Sequence, residues 1–207
     1  MPINIDMFLR RAERDDLDTI VRWMEDEDFQ RFLYGDPARS PRQVREQIVT
    51  MLGRTAGVGM PGAVYLMIDS KKSGPVGFLL LQNISWRNRS CQIDLYIGRK
   101  ELRAGITAAL ATYRGFEYCF DELNLNRVGA FIYAFNTPSW RTFEKSGAKR
   151  ELTFKDHVAR DGQLHDVYGY ALLRGEFEGL RQRLGSIQGA TLREMAAALA
   201  LDEDPEA

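Results

Sequence analysis

At 207 residues the chain is long enough for one domain with its own core, and its 28 basic and 29 acidic residues nearly cancel to a net charge of −1. The basic residues, mostly arginine, form no stripe, which argues against a nucleic-acid surface. Two cysteines (Cys91, Cys119) and two histidines (His157, His165) have no metal-ligand spacing, no run approaches membrane-spanning length and no apolar signal core opens the chain, so a reduced, cytoplasmic protein without metal or membrane partner is expected.

Met7–Arg10 reads as a short first strand. From Asp15 the pattern turns helical, with Leu17, Ile20, Val21 and Met24 on one face and Asp15 and Asp16 suited to the helix start. The acidic run Glu25–Asp28 closes that helix, either as a solvated end or as a rim that attracts an amine. The aromatic stretch Phe29–Tyr34 runs into the turn Gly35-Asp36-Pro37. Ser40-Pro41 opens a second helix whose buried stripe is Val44, Ile48 and Met51/Leu52. The glycine-rich stretch Gly53–Gly62 is a loop. Ala63–Ile68 and Val76–Ile84 are strands joined by the turn Asp69–Gly74, and a polar turn at Trp86–Ser90 leads into the strand Ser90–Ile97.

The stretch Ile93–Gly147 organises the rest. A β-branched run ends at Gly98, an amphipathic helix spans Ala104–Leu123, a second strand covers Val128–Ala134, and a short helix starts at Thr137-Pro138 and stops at Gly147. Strand, helix, strand predicts parallel neighbours with a right-handed crossover. A helix that begins just after a strand offers free N–H groups and a positive dipole end, a ready site for an anion. Arg150–Val158 and Leu164–Leu172 flank Asp161-Gly162, a strong hairpin signal. Helical patterns follow at Glu176–Leu184 and, behind the capping pair Thr191 and Glu194, up to Leu199; Asp202–Ala207 is an acidic tail. The whole predicts an α/β domain with a mixed sheet.

Three phrases carry a resemblance: FDELNLNRV at Phe120–Val128, N-x-x-S-x-x-x-x-E-K-x-G at Asn136–Gly147, and HDVYGYALLRGEF at His165–Phe177. With the element order from Met7 to Phe177, they resemble the GNAT superfamily of acyl-CoA-dependent N-acetyltransferases. The similarity is greatest to the branch of RimJ and RimL, which acetylate N-terminal amines of ribosomal proteins. The resemblance implies a GNAT domain over residues 1–177 and a helical extension over 178–207. It implies a mostly antiparallel sheet of six to seven strands, with a central parallel pair that splays apart, and flanking helices.

It also implies the chemistry. A neutral amine attacks the thioester of acetyl-CoA, which requires a bound pyrophosphate, an oxyanion donor, a route for the amine proton and a proton for the thiolate. The family's pyrophosphate loop falls on Arg103-Ala104-Gly105-Ile106-Thr107-Ala108. Ile106 stands where the family has glycine, and Gly105 lies one position early. The pantetheine arm is expected beside Leu95, Tyr96 and Ile97, whose backbone faces the thioester oxygen, with Asn136 contacting CoA. Ser139 is the expected acid, because the position where many relatives carry a tyrosine is Phe143, which packs on the pantetheine or in the core. Asp94 is the expected base, with Glu27 as its rival and loss of the proton to solvent a third route.

Two function classes follow. One is an N-acetyltransferase using acetyl-CoA on a primary amine: a peptide N-terminus, polyamine, amino sugar or antibiotic. The other is a GNAT-fold binding module whose degenerate pyrophosphate loop leaves little turnover. The alanine face of the last helix (Ala196, Ala197, Ala198, Ala200) would let the chain act as a homodimer, or dock on its own domain as a monomer.

Overall fold

The computed structural model describes residues 7–32, 40–55, 59–103 and 106–185. The predicted turn at Gly35-Asp36-Pro37, the loop residues Ala104 and Gly105, and the C-terminal helix and tail from Thr191 lie outside those residues. Seven strands form one sheet in the order β1-β2-β3-β4-β5-β7-β6. They are β1 (Met7–Arg11), β2 (Val64–Ser70), β3 (Gly74–Ser85), β4 (Ser90–Ile97), β5 (Arg127–Tyr133), β6 (Lys149–Arg160) and β7 (Gln163–Leu173). The helices are α1 (Leu17–Met24), α2 (Glu27–Phe32), α3 (Pro41–Thr55), α4 (Ile106–Glu117), α5 (Thr137–Lys145) and α6 (Arg174–Gly185).

Alternation along β4 sorts its side chains to two faces. Ile93 and Ile97, with Leu95 against them, join the core under α4, α5 and α6, where Phe116, Phe120, Phe143 and Phe177 meet. Tyr96 joins the opposite core, with Ile20 and Val21 of α1, Ile48 of α3, and Met67 and Phe78. Close packing at the end of β4 requires a residue without a side chain: a Cβ on Gly98 would fall 2.0 Å from the Trp23 indole. The hairpin β6–β7 turns on Asp161 (φ 52°) and Gly162 (φ 74°), the two left-handed residues that its sequence signals.

The acidic run after α1 does not simply end a helix. Glu25 and Asp26 form a turn, and Glu27 begins the separate short helix α2. The helix predicted over Ala104–Leu123 also changes form: α4 ends at Glu117 and a π-helical turn, Tyr118–Glu122, completes it. The carbonyls freed there are met by Arg174, whose guanidinium donates to Phe120 O and, at 3.1 Å, to Leu125 O. Two of the phrases that carried the resemblance therefore bind each other.

Candidate active site between the parallel strands

β4 and β5 are the only parallel neighbours among the described residues, and they pair only from Ser90↔Arg127 to Gln92↔Gly129. Beyond that point the strands part. The facing edges of Ile93–Ile97 and Ala130–Tyr133 have no ladder partner in each other, so their N–H and C=O groups need another one. A cavity of about 500 Å³ opens there. On the α4 side its wall is apolar, with Leu95, Ile97, Ala130, Ile132 and Phe143. The first turns of two helices border it, through Ala108 of α4 and Pro138 and Ser139 of α5. Asp28, Phe32, Asp94 and Tyr96 also belong to the lining.

Most of the residues expected at the site meet in this cavity. Asp94, Leu95, Tyr96, Ile97, Arg103, Ala108, Asn136, Ser139 and Phe143 all line it. Thr107 is buried and is not part of the lining. The backbone of Ile106 is the first residue of α4, so it stands at a helix start rather than within a loop. Glu27, the rival base, is exposed and lies outside the lining, which instead takes its neighbour Asp28.

Asp94 reaches the cavity from the α1/α3 face of β4. Burial pushes its carboxyl up to about 7, opposed by a hydrogen bond that Gln82 Nε2 donates to Oδ2 at 2.5 Å. A carboxyl that titrates there can give and take a proton at neutral pH.

Asn136 is at the N-cap position of α5, but its side chain does not cap that helix. Its Nδ2 donates to Phe32 O at 3.1 Å, tying the end of α2 to the α5 side of the cavity. Its backbone carbonyl accepts from Ser139 N at 3.2 Å, which seats Ser139 in the first turn. Phe143 is in the core, edge-on to Phe116 with centroids 5.6 Å apart, while its other side forms cavity wall.

Arg103 departs most from expectation. Its guanidinium donates to Asp28, to Ile97 O at 2.8 Å and to the Tyr96 hydroxyl at 2.5 Å, and lies over the Tyr96 ring. Asp26 is 3.6 Å from it, and Lys100 Nζ is 3.3 Å from Asp26. Burial works against ionisation of Asp26, but bonds from Asp28 N, Lys100 and Tyr96 and the Arg103 charge keep its carboxyl below the ordinary range. Burial is the main cause that pushes the Tyr96 phenol well up. Asp26 and Asp28 of the acidic run are thus paired with Lys100 and Arg103.

Sequence reasoning missed Gln82, Phe32, Thr112 and Phe131. Gln82 acts across a strand pair, and the other three are ordinary apolar or hydroxyl residues whose place depends on where the strands part. The open strand edges, the apolar wall and the helix starts suit an extended acyl-CoA arm ending in phosphates. Among the described residues no group of His, Cys, Asp and Glu could hold a metal ion, and no helix is long and apolar enough to cross a membrane.

Comparison with known proteins agrees with this geometry. The family model for the acetyltransferase (GNAT) domain matches residues 6–149. N-acetyltransferase p20 of Bacillus licheniformis, itself uncharacterized, is 26% identical over 173 residues, 83% of this chain and 94% of that protein. YdaF of Bacillus subtilis (strain 168), named a candidate ribosomal N-acetyltransferase, is 33% identical over 103 residues, 50% of this chain and 56% of its own. The structure of spermidine N-acetyltransferase from Vibrio cholerae, in complex with CoA and spermine, superposes with a TM-score of 0.76 at 19% identity, over 84% of this chain and 99% of that one. With a seven-stranded sheet opened at its one parallel pair and a family model spanning most of its length, the chain belongs to the GNAT family and is an N-acetyltransferase.

Proposed function

We propose that the chain moves the acetyl group of acetyl-CoA onto the primary amine of a cationic acceptor, of the polyamine type or a peptide N-terminus. The observation that carries this reading is Asp94: an acid poised near 7 on the wall of a cavity that opens between the parting strands. Asp94 takes the proton of the entering ammonium, directly or through a water, and leaves the nitrogen lone pair free to attack the thioester carbon. A backbone N–H of Leu95–Ile97 donates to the carbonyl oxygen as charge gathers on it. As the carbon–sulfur bond breaks, Ser139 gives its proton to the sulfur, and the attacking nitrogen sheds its second proton, through water, back to the Ser139 oxygen. Arg103, at the approach to α4, and the N–H groups of that helix start would meet the phosphates.

Two further lines support a cationic acceptor. Asp28 and Asp94 both line the cavity, and the spermidine enzyme of the same fold was solved with spermine. The test is release of free thiol from acetyl-CoA with spermidine, short peptides and amino sugars as acceptors. Turnover with spermidine or a basic peptide, falling as salt rises, is expected. Thiol release only with hydroxyl acceptors would overturn the reading, and none with any acceptor would favour a purely binding role.

A further inference from the structure

Asp94 has one side-chain partner that the reaction as described does not use. Gln82 lies on β3, opposite Gln92 on β4, so Asp94 is its diagonal neighbour on the same face. Long side chains reach across that diagonal. Gln82 Nε2 meets Asp94 Oδ2 at 2.5 Å, and Gln82 itself is not part of the cavity wall. The amide therefore holds the carboxyl, through one of its two oxygens, from a residue outside the cavity lining. From this geometry we infer that Gln82 is a positioning residue, which sets both the orientation of the Asp94 carboxyl and the pH at which it exchanges its proton.

The residue type matters. An ionised carboxylate accepts from the amide N–H, and a protonated one can donate to the amide oxygen once the amide turns over. The turnover is needed only for the protonated state, so glutamine as placed favours the ionised one while leaving the group free to gain and lose a proton in each cycle. A lysine or arginine would fix the ionised state, and an apolar residue would leave burial unopposed. The charged or titratable side chains that share the cavity with Asp94 are Asp28, Tyr96 and Arg103. Asp28 and Arg103 are bound to each other, and the Tyr96 hydroxyl is bound to Arg103. Leu80 across the strand pair, Phe131 on β5 and Ser139 on α5 carry no charge. Burial and the Gln82 bond are the two causes that act on Asp94.

The inference rests on Asp94 as base, so the experiment separates the two. The full chain is assayed for the pH dependence of kcat/KM as the wild type, Asp94→Asn, Gln82→Met and Gln82→Lys. The Asp94 carboxyl is followed independently by carbon-13 NMR in acetyl-CoA-free protein. Gln82→Met should move the acid limb of the profile and the NMR titration up together, by about one pH unit, the worth of one hydrogen bond to a charged group. Gln82→Lys should move both down. Opposite shifts from two substitutions at one position are beyond a merely structural effect. If Asp94→Asn removes the limb but neither Gln82 variant moves it, Gln82 has no such part and the base reading survives. If the limb persists in Asp94→Asn, the base reading falls and the role of Gln82 falls with it.

Discussion

Arg103 and Asp28 are joined by an ion pair across the cavity that both residues line. One partner belongs to the approach to α4, where phosphates would gather, and the other to α2, where a cationic acceptor would be drawn. Each therefore keeps the other from a ligand of opposite charge. Asp28→Asn should remove the closest carboxylate from Arg103, which keeps its bonds to Ile97 O and Tyr96, and tighten CoA binding by about two- to fivefold, the size set by a part-exposed ion pair. The same change should raise KM for a cationic amine. Calorimetry with CoA measures the first effect, and unchanged or weaker affinity would remove the competition.

Ser139 is seated at the α5 start, on the cavity wall, by its backbone bond to Asn136. Phe143, one turn on, has no proton to offer. Ser139→Ala should lower kcat by roughly 10- to 10⁴-fold, the range of general acid catalysis widened because water can substitute. CoA affinity should change little. A kcat equal to the wild type would take Ser139 out of the mechanism.

The parallel pair, the antiparallel strands before it and the hairpin turn at Asp161-Gly162 were legible because β-branched alternation and turn residues report backbone geometry directly; the place of β7 between β5 and β6 was not. The meeting of Asp94, Tyr96, Asn136 and Ser139 was legible only through family phrases, since nothing local in the sequence says where two strands separate. Arg103 shows the limit. Its position before α4 is readable, but its direction depends on Asp28, 75 residues away in sequence. The π-helical turn after Glu117 was equally hidden, because Tyr118–Glu122 continues the apolar spacing of a plain helix. Gln82 is harder still: a polar residue near the end of a strand looks solvent-facing until its diagonal neighbour is known.

Asp94 should make the enzyme less stable as pH rises. Its carboxyl titrates near 4 in an unfolded chain and at about 7 in the folded one. Between those values the folded state binds a proton that the unfolded state has lost, so stability falls as pH climbs from 4 through 7. The full shift corresponds to roughly 4 kcal/mol, and contact with the cavity reduces it to about 2 kcal/mol. Asp94→Asn should then match the wild type near pH 4 and exceed it above pH 7.5, by about 4–8 °C in Tm. Melting curves at the two pH values check this, and a Tm difference that does not vary with pH would contradict it.

Arg174 tests whether the phrase around it serves the fold or the site. Its guanidinium donates to Phe120 O, to Leu125 O and, at 3.2 Å, to Asn124 Oδ1. These bonds close the π-helical turn after α4 and the loop that feeds β5. Phe120 and Leu125 are buried, so a carbonyl stripped of its partner there is hard for water to reach. Arg174 also lies over the Phe120 ring, a contact that methionine would keep only as packing. Arg174→Met should therefore cost about 2–4 kcal/mol, or roughly 4–16 °C in Tm for a chain of this size. CoA affinity at a temperature where the variant is folded should stay within about twofold of the wild type, because none of these bonds borders the cavity. A large loss of CoA affinity in a variant that melts normally would instead place Arg174 in the binding machinery.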